Sequence, residues 1–504
     1  MATNKYIAVT IGPIFDTVNL ASSPSALWAA SYLFSMLSKN ICQTLTENGV
    51  AKESIISPFY DPEDELLNKN DGVGLFHDRI IFRADDFSIE DFNDKIKDEA
   101  IKKTLVLFRL KEGEREYFKK YFLVSAFVFE SDSPILDSAK VLDSLELAKP
   151  FAEERGSNPL LTLYTSNDTA HKNQQITMLV NNMGIRQWQL FDSNHTIMSL
   201  SQIAKNRVPA KTAENYKKFK YYAVVRSDGD HMGDIIKGLK SDEEIRSFSK
   251  NCLQYCSDVA KTVREYGGVT IYSGGDDLLA LIPVENGNGE TVFDFIRSVN
   301  KIFADAFSEY NVAVSLSFGV FVSYHKFPLY EALEKSAGLL FGTAKTYRDC
   351  TAIHFQKHAG QSEGLVIAND SLDSFIDLHK KITDGKAADK SEIILSAMHK
   401  LTQFEKMFNH AATPEIIQNL FDNTFDADAH KGNEFLKTVL PVFFSDLKTK
   451  LHIYPITNDD PEKSNKVYDA SKLFVLNKNE NLAKTMNYIL RVIKFFTEGG
   501  GEAS

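Results

Sequence analysis

Cysteine is scarce in this chain: Cys42, Cys252, Cys256 and Cys350 are the only four among 504 residues. No two of them form a CxxC pair, so the spacing of a structural zinc site is absent, and so few thiols fit a reducing cytoplasm. Cys252 and Cys256 are four apart in a helical pattern and read as one buried face. Long apolar runs are lacking too. YFLVSAFVF at 121–129 is among the longest, far below the roughly 20 residues of a spanning helix. The start, MATNKYIAVTIGPIF, shows no charged lead, apolar signal core or cleavage site. These absences point to the cytoplasm and away from a membrane. Positive charge is also in deficit. With 57 Lys and Arg against 68 Asp and Glu the net charge is −11, which excludes a protein that coats nucleic acid over its whole surface.

Several catalytic signatures are missing: no HExxH, Walker A, GxSxG or Rossmann glycine fingerprint occurs. The dipeptide His77-Asp78 invites comparison with metal-dependent HD phosphohydrolases, whose site also needs an upstream His and a downstream Asp on helices. The first 76 residues contain no His, so that site cannot be assembled in its usual order. His77 reads as structural or close to a nucleotide.

What is present is ordinary for a globular protein: 43% hydrophobic and 25% charged residues, over a length that should hold about three or four cores. YIAVTIG reads as a strand and PSALWAASYLFSMLSKNICQTL as a helix opening at Ser23 or Ser25, with Pro24 in its first turn. SIISPF, HDRIIFRA and YFLVSAFVFE follow as strands, with 88–120 mostly helical. This β-α-β-β-α-β order predicts a ferredoxin-like domain over 1–150. Polar text from 151 to 217 predicts a linker domain of short helices and loops. A second β-α-β-β-α-β series occupies 218–362. KYYAVVRSD is its first strand, a helical stretch closes at Gly267-Gly268, and VTIYS and LLALIP form a hairpin. TVFDFIRSVNKIFADAFSEY is the next helix and VAVSLSFGVFVS the next strand, before one more helix and CTAIHF. From 363 to 504 the pattern is mainly helical.

The sharpest signal is TIYSGGDDLLALIP at 270–283. Taken alone, a Gly-Asp turn reads as a solvated hairpin. VVRSDGDHMGD adds a third carboxylate: Asp228 ends the strand 220–227, Asp230 lies two residues on, and in this strand order strand and hairpin are central neighbours. Asp228, Asp276 and Asp277 then converge on one patch. Such a cluster repels itself unless cations neutralise it. Hard oxygen ligands suit two Mg²⁺ or Mn²⁺ ions, which can activate a hydroxyl and stabilise the leaving oxygen of a phosphoryl displacement. These three Asp residues are the expected catalytic residues and, with Gly229, the expected metal ligands. Gly274 and Gly275 let a nucleotide approach the hairpin backbone. Gly229 and Gly233 bracket a helix start whose free N–H groups can hold a triphosphate, and Lys345 is a candidate countercharge. Asp230, His231, Met232 and Ser273 complete the expected nucleotide-binding set. The bland readings are a turn for DGD and a solvated helix face for a lone Lys.

Three stretches, YYAVVRSDGDHMGDIIKGL, IYSGGDDLLALIP and VAVSLSFGVFVSYHKFPLYEALEKSAGLLFGTAK, resemble the catalytic palm of the large polymerase/cyclase subunit of type III CRISPR effector complexes, most like the III-B (Cmr) type. TIGPIFDTVNLASSPSALWAASYLFSML is similar to that family's first palm, which lacks the acidic hairpin. The resemblance implies an α+β fold: two ferredoxin-like palms, the second with the Gly-Gly-Asp-Asp hairpin, plus two mainly helical domains. It also implies an RNA-activated nucleotidyltransferase with ATP between the palms and two Mg²⁺ or Mn²⁺ ions at Asp228, Asp276 and Asp277. Small and backbone subunits, guide RNA and target RNA are the implied partners. The implied product is a cyclic oligoadenylate, or AMP joined to S-adenosylmethionine.

Two departures from the family pattern matter. The HD nuclease domain that often precedes the first palm and the cysteine zinc site often found between the palms are not seen, so neither single-strand DNA cleavage nor zinc is expected. A diguanylate cyclase ranks second, because its hairpin reads Gly-Gly-Asp/Glu-Glu-Phe where this one reads Gly-Gly-Asp-Asp-Leu, and its RxxD inhibitory motif is missing. A non-catalytic scaffold subunit ranks third, since a decayed site has no reason to keep a self-repelling cluster.

Overall fold

Strand alternation assigns the two faces of the first sheet. The computed structural model describes residues 4–19, 21–68, 71–85, 87–106, 119–147, 169–357, 362–384, 390–425, 433–449, 453–455 and 482–497. Strands β1 (Asn4–Gly12), β2 (Ile55–Ser57), β3 (Arg79–Arg83) and β4 (Leu123–Ser131) form an antiparallel sheet in the order β2-β3-β1-β4. That is the ferredoxin-like order a β-α-β-β-α-β chain predicts. Ile7, Val9 and Ile11 of β1 face the main core, while Tyr6 and Ala8 face a smaller cluster with Ile56 and Ile81. The Pro24–Glu47 helix opens where the sequence indicates: Ser23 Oγ accepts from the Ala26 N–H at 3.3 Å, with Pro24 at the first helical position. Such a cap contributes about 1 kcal/mol. The expected helix over 88–120 is present from Ile89 to Val106. Its continuation over 107–118 lies outside the described residues.

The second sheet is larger. It comprises β5 (Tyr221–Asp230), β6 (Val269–Gly274), β7 (Asp277–Pro283), β8 (Ser315–Tyr324), β9 (Cys350–Gln356), β10 (Ser362–Ala368) and β11 (Ile453–Pro455), in the order β11-β10-β9-β8-β5-β7-β6. The run β8-β5-β7-β6 repeats the ferredoxin-like order of the first palm. β9 joins parallel to β8, and β10 and β11 carry the sheet into a segment the sequence marks as mainly helical.

Both faces of this sheet are covered, which is why its strands read as near-continuous apolar runs. Tyr222, Val224, Leu279 and Leu281 pack into a core shared with the first palm. Tyr221, Ala223, Val225 and Ala280 pack against the palm's own helices, among them Asp242–Tyr266 and Val292–Ala306. The longer of these helices is bounded as its sequence indicates. Ser241 Oγ caps it, Asp242, Glu243 and Glu244 fill its first turn, and Gly267 ends it at φ 100.

Between the palms, helices Thr169–Asn182, Leu200–Ile203 and Ala210–Asn215 lie within the expected linker, of which 151–168 falls outside the described residues. At the C-terminal side Phe408, Phe421 and Phe444 form one aromatic cluster. The Leu482–Thr497 helix returns to the palm, with the Phe495 ring 5.0 Å from Tyr221 and 5.2 Å from Phe355. No helix among the described residues is long and apolar enough to cross a membrane.

Candidate functional site

Pairing register brings the acidic residues together. Ser227 on β5 opposes Leu278 on β7, so the next step along each strand sets Asp228 beside Asp277, with Asp276 in the turn before it. Asp228 and Asp276 lie close enough for the Asp228 charge to raise the Asp276 carboxyl. A Cβ on Gly229 would stand 2.6 Å from Asp276 Oδ2, so a side chain here would displace the Asp276 carboxylate. At Gly274 a Cβ would run into the Tyr272 hydroxyl and ring, so local packing also favours the missing side chain there. Gly275 takes φ +69 with nothing within 4 Å of its Cβ position, so it supplies both the turn conformation and the open side of the hairpin.

Crowding and burial make these carboxyls hard to ionise. Asp276 is pushed up to about 6, first by burial and then by the Asp228 charge. Asp277 is raised well above the carboxylate range by burial and by both neighbours. Asp228 is raised by burial, with Lys345 pulling it back. Among the described residues no three His, Cys, Asp or Glu side chains already stand around one point as a ligand set. The donor chemistry nevertheless fits hard divalent cations, since Asp228, Asp276, Asp277 and the Gly229 carbonyl offer oxygen alone.

Lys345 lies beside the acidic residues of β5. Its Nζ lies 3.1 Å from Asp228 Oδ2, 3.1 Å from Asp230 Oδ1 and 2.6 Å from the Gly229 carbonyl.

The rest of the predicted nucleotide set divides. Asp230 is 2% exposed, and its carboxylate also accepts from Ser315 Oγ, Ser317 Oγ and the Asp349 N–H. It therefore anchors Lys345 and the 345–349 turn rather than meeting a ligand, which corrects the sequence reading. Met232 and Ser273 are likewise buried, Ser273 Oγ donating to the Cys256 carbonyl. His231 remains at the surface with φ +64, its Nε2 3.1 Å from Arg348 Nη1. Gly233 has open space at its Cβ position.

A cavity of 550 Å³ lies between the palms. Asp277, Arg226 and Tyr272 line it from the second palm, and Asp16, Asp78 and Glu146 from the first, with Phe34, Phe76 and Phe341 among its apolar walls. Sequence reasoning missed most of these. Arg226 precedes Asp228 by two on the same strand face, a signal that alternation offers. Arg226 Nε donates to Ser336 Oγ at 3.1 Å, and burial lowers its pKa. Asp78 belongs to the HD dipeptide; burial raises it to about 6, with the Glu146 charge adding to the shift. His77 is held near 4 by burial and hydrogen-bonds Ser57 Oγ. That makes it structural.

Residues 221–353 match the family described as Cas10/Cmr2, second palm domain, and residues 6–108 match the CRISPR-associated protein Cmr2 N-terminal family. The Cmr2 subunit of the CRISPR system Cmr of Pyrococcus furiosus is 24% identical over 286 residues, which are 47% of this chain and 32% of that protein. The matched region thus spans about a third of that curated relative. Among solved structures, the apo state of type III-B Cmr-beta superposes with TM-score 0.60 at 11% identity, over 98% of this chain and 82% of that one. A Csm1–Csm4 cassette in complex with cA4 gives 0.55 at 10% identity, over 98% and 70%.

Proposed function

The chain belongs to the Cas10/Cmr2 family, and on that premise we propose that it is the RNA-activated nucleotidyltransferase subunit of a type III CRISPR complex, converting ATP to a nucleotide second messenger. The carrying observation is that strand register sets Asp228 beside Asp277, with Asp276 in the turn before it and Lys345 next to Asp228, while Asp277 lines a cavity between two palms. A scaffold has no use for that arrangement: burying and crowding three carboxyls destabilises the free protein.

Asp228, Asp276, Asp277 and the Gly229 carbonyl would hold Mg²⁺ or Mn²⁺. Such ions supply charge neutralisation and a more acidic attacking hydroxyl. The chain does the rest. Lys345, held by Asp230, and Arg348, beside His231, offer positive charge to the triphosphate. Gly275 leaves the hairpin open on that side. The buried Phe34 and Phe76 give the cavity an apolar wall on the first palm's side, which limits the water that would compete with the acceptor. Pyrophosphate leaves as the new phosphodiester or ester bond forms.

The family reading gives a cyclic oligoadenylate as product. A second reading has a specific support: the first palm presents Asp16, Asp78 and Glu146 to the cavity, and although Arg79 pairs with Glu146 at 2.8 Å, a wall with carboxyls favours a cationic acceptor over a second triphosphate. S-adenosylmethionine, joined to AMP, fits that charge. Partners follow from the same premise, as other subunits, guide RNA and target RNA. With a net charge of −11, contact with RNA belongs to the assembled complex rather than to this chain's general surface.

Mass spectrometry of products formed from ATP by the reconstituted complex, with and without target RNA and S-adenosylmethionine, tests the proposal. A target-dependent adenylate product is expected. ATP left intact under all four conditions contradicts it.

A further inference from the structure

One helix of the second palm reaches both the first palm and the acidic hairpin. At its start, Tyr6 Oη donates to Asp242 Oδ1 at 2.8 Å, and Ile245 is buried among Tyr6, Ala8, Ile56 and Ile81 of the first sheet. The Phe59 N–H donates to Ser249 Oγ at 2.7 Å. Arg246 is the centre of this contact. Its Nη1 donates to the Lys52 and Ile55 carbonyls, each at 2.6 Å, and its Nη2 to the Tyr60 carbonyl at 2.7 Å. The guanidinium carbon lies 4.6 Å from the centre of the Phe59 ring. A rigid planar fork can hold three carbonyls and stack on a ring at once, whereas an ammonium is a single point with no fixed fork.

Farther along, the same helix supports the hairpin. Cys256 Sγ donates to the Gly275 carbonyl at 3.4 Å, and Ser273 Oγ donates to the Cys256 carbonyl at 3.3 Å. Gln189 ties this part to β6, with Nε2 donating to the Ala260 carbonyl and Oε1 accepting from the Thr270 N–H. From Arg246 to Cys256 the helix is a rod of about 15 Å, at 1.5 Å per residue.

We propose that Arg246 is a positioning residue for nucleotidyl transfer: it fixes the Asp242–Tyr266 helix to the first palm, and so fixes the separation between the first palm's cavity wall and the Asp276–Asp277 hairpin. The proposal rests on the reading of that cavity as the nucleotide site. Its physical basis is the steep dependence of transfer on alignment, since a misplacement of about 1 Å costs up to about 100-fold in rate. Arg246 itself touches neither the hairpin nor the cavity, so its effect travels through the helix.

Two measurements test it. In hydrogen exchange on the full chain, Arg246→Ala is expected to speed exchange both in 52–60 and in the hairpin strands 269–283. Lys250→Ala, which removes an exposed pair with Asp64 at 2.7 Å in the same contact, should leave the hairpin unchanged. Faster exchange confined to 52–60 overturns the proposal. If Arg246→Ala does not fold, Arg246→Lys carries the same comparison.

In the target-activated complex, Arg246→Lys is expected to lower kcat about 10-fold or more with the KM for ATP within about 2-fold. Millimolar guanidinium should restore turnover to Arg246→Ala and methylammonium should not. Unchanged kcat, or a loss confined to KM, contradicts the proposal. If the wild-type complex makes no product from ATP, the functional reading falls, while the exchange experiment still decides whether the helix couples the palms.

Discussion

Lys345 Nζ stands 3.1 Å from Asp228 Oδ2. One ammonium is thereby shared between a candidate metal ligand and the buried anchor Asp230, 3.1 Å away on its other side. Lys345→Ala removes one charge-assisted contact to a triphosphate, about 1.5–3 kcal/mol, so the KM for ATP should rise by about 10- to 100-fold. Steady-state kinetics of the activated complex are the check. Unaltered kinetics would return Lys345 to a merely structural role.

The acidic hairpin should be a stability liability with a defined pH window. The folded pKa of Asp276 is raised from 3.8 to about 6, so the folded state binds the proton more tightly than the unfolded one. Stability then falls as pH rises from about 4 through 6. Asp276→Asn, Asp277→Asn should accordingly raise the metal-free unfolding free energy by about 3 kcal/mol or more at pH 7.5 and leave it nearly unchanged at pH 4. Denaturant melts at both values decide this. Destabilisation at pH 7.5 would mean that the carboxyls are held by partners rather than crowded.

Gly229→Ala is expected to spare the fold and damage the site. The new Cβ would lie 2.6 Å from Asp276 Oδ2, 2.7 Å from Met232 Cγ and 2.9 Å from Asp276 Cβ, so the Asp276 carboxylate must turn away and the hairpin give by a few tenths of an ångström. Mn²⁺ affinity measured by calorimetry should drop by about 10- to 100-fold, with a near-native melting temperature. Undiminished affinity would remove Asp276 from the ligand set.

Charge predicts weak RNA binding by the chain alone. At a net charge of −11 it has no overall excess of positive charge to drive the counterion release behind tight, salt-sensitive association. Filter binding across a salt series tests this, and a steep slope with tight binding would contradict it.

Much of this was legible because the second palm obeys local rules. Period-two alternation on β5 sends Tyr222 and Val224 to one core and Tyr221 and Ala223 to the other, whereas Asp228, expected to end its strand, lies inside β5, which pairs with β8 as far as Asp230. Caps at Ser23 and Gly267 are short-range and were readable for that reason. β10 was not, because a short apolar run such as GLVIA becomes a strand only when β9 is there to pair with it. Asp230 was misassigned because its spacing after Asp228 says nothing of Ser315 and Ser317, which reach it from β8 across the sheet. Asp78 and Arg246 depend on the docking of one palm on the other, a relation no local pattern encodes.

The central claim is that Asp228 and the hairpin aspartates drive nucleotidyl transfer, and pyrophosphate release from ATP tests it most directly. With target RNA and Mg²⁺ or Mn²⁺, the wild-type complex should release pyrophosphate in step with product. The complex carrying Asp276→Asn, Asp277→Asn should assemble normally and lose at least about 1000-fold in rate, the order expected when an electrostatic centre of catalysis is removed. Release by the variant at near wild-type rate would contradict the account.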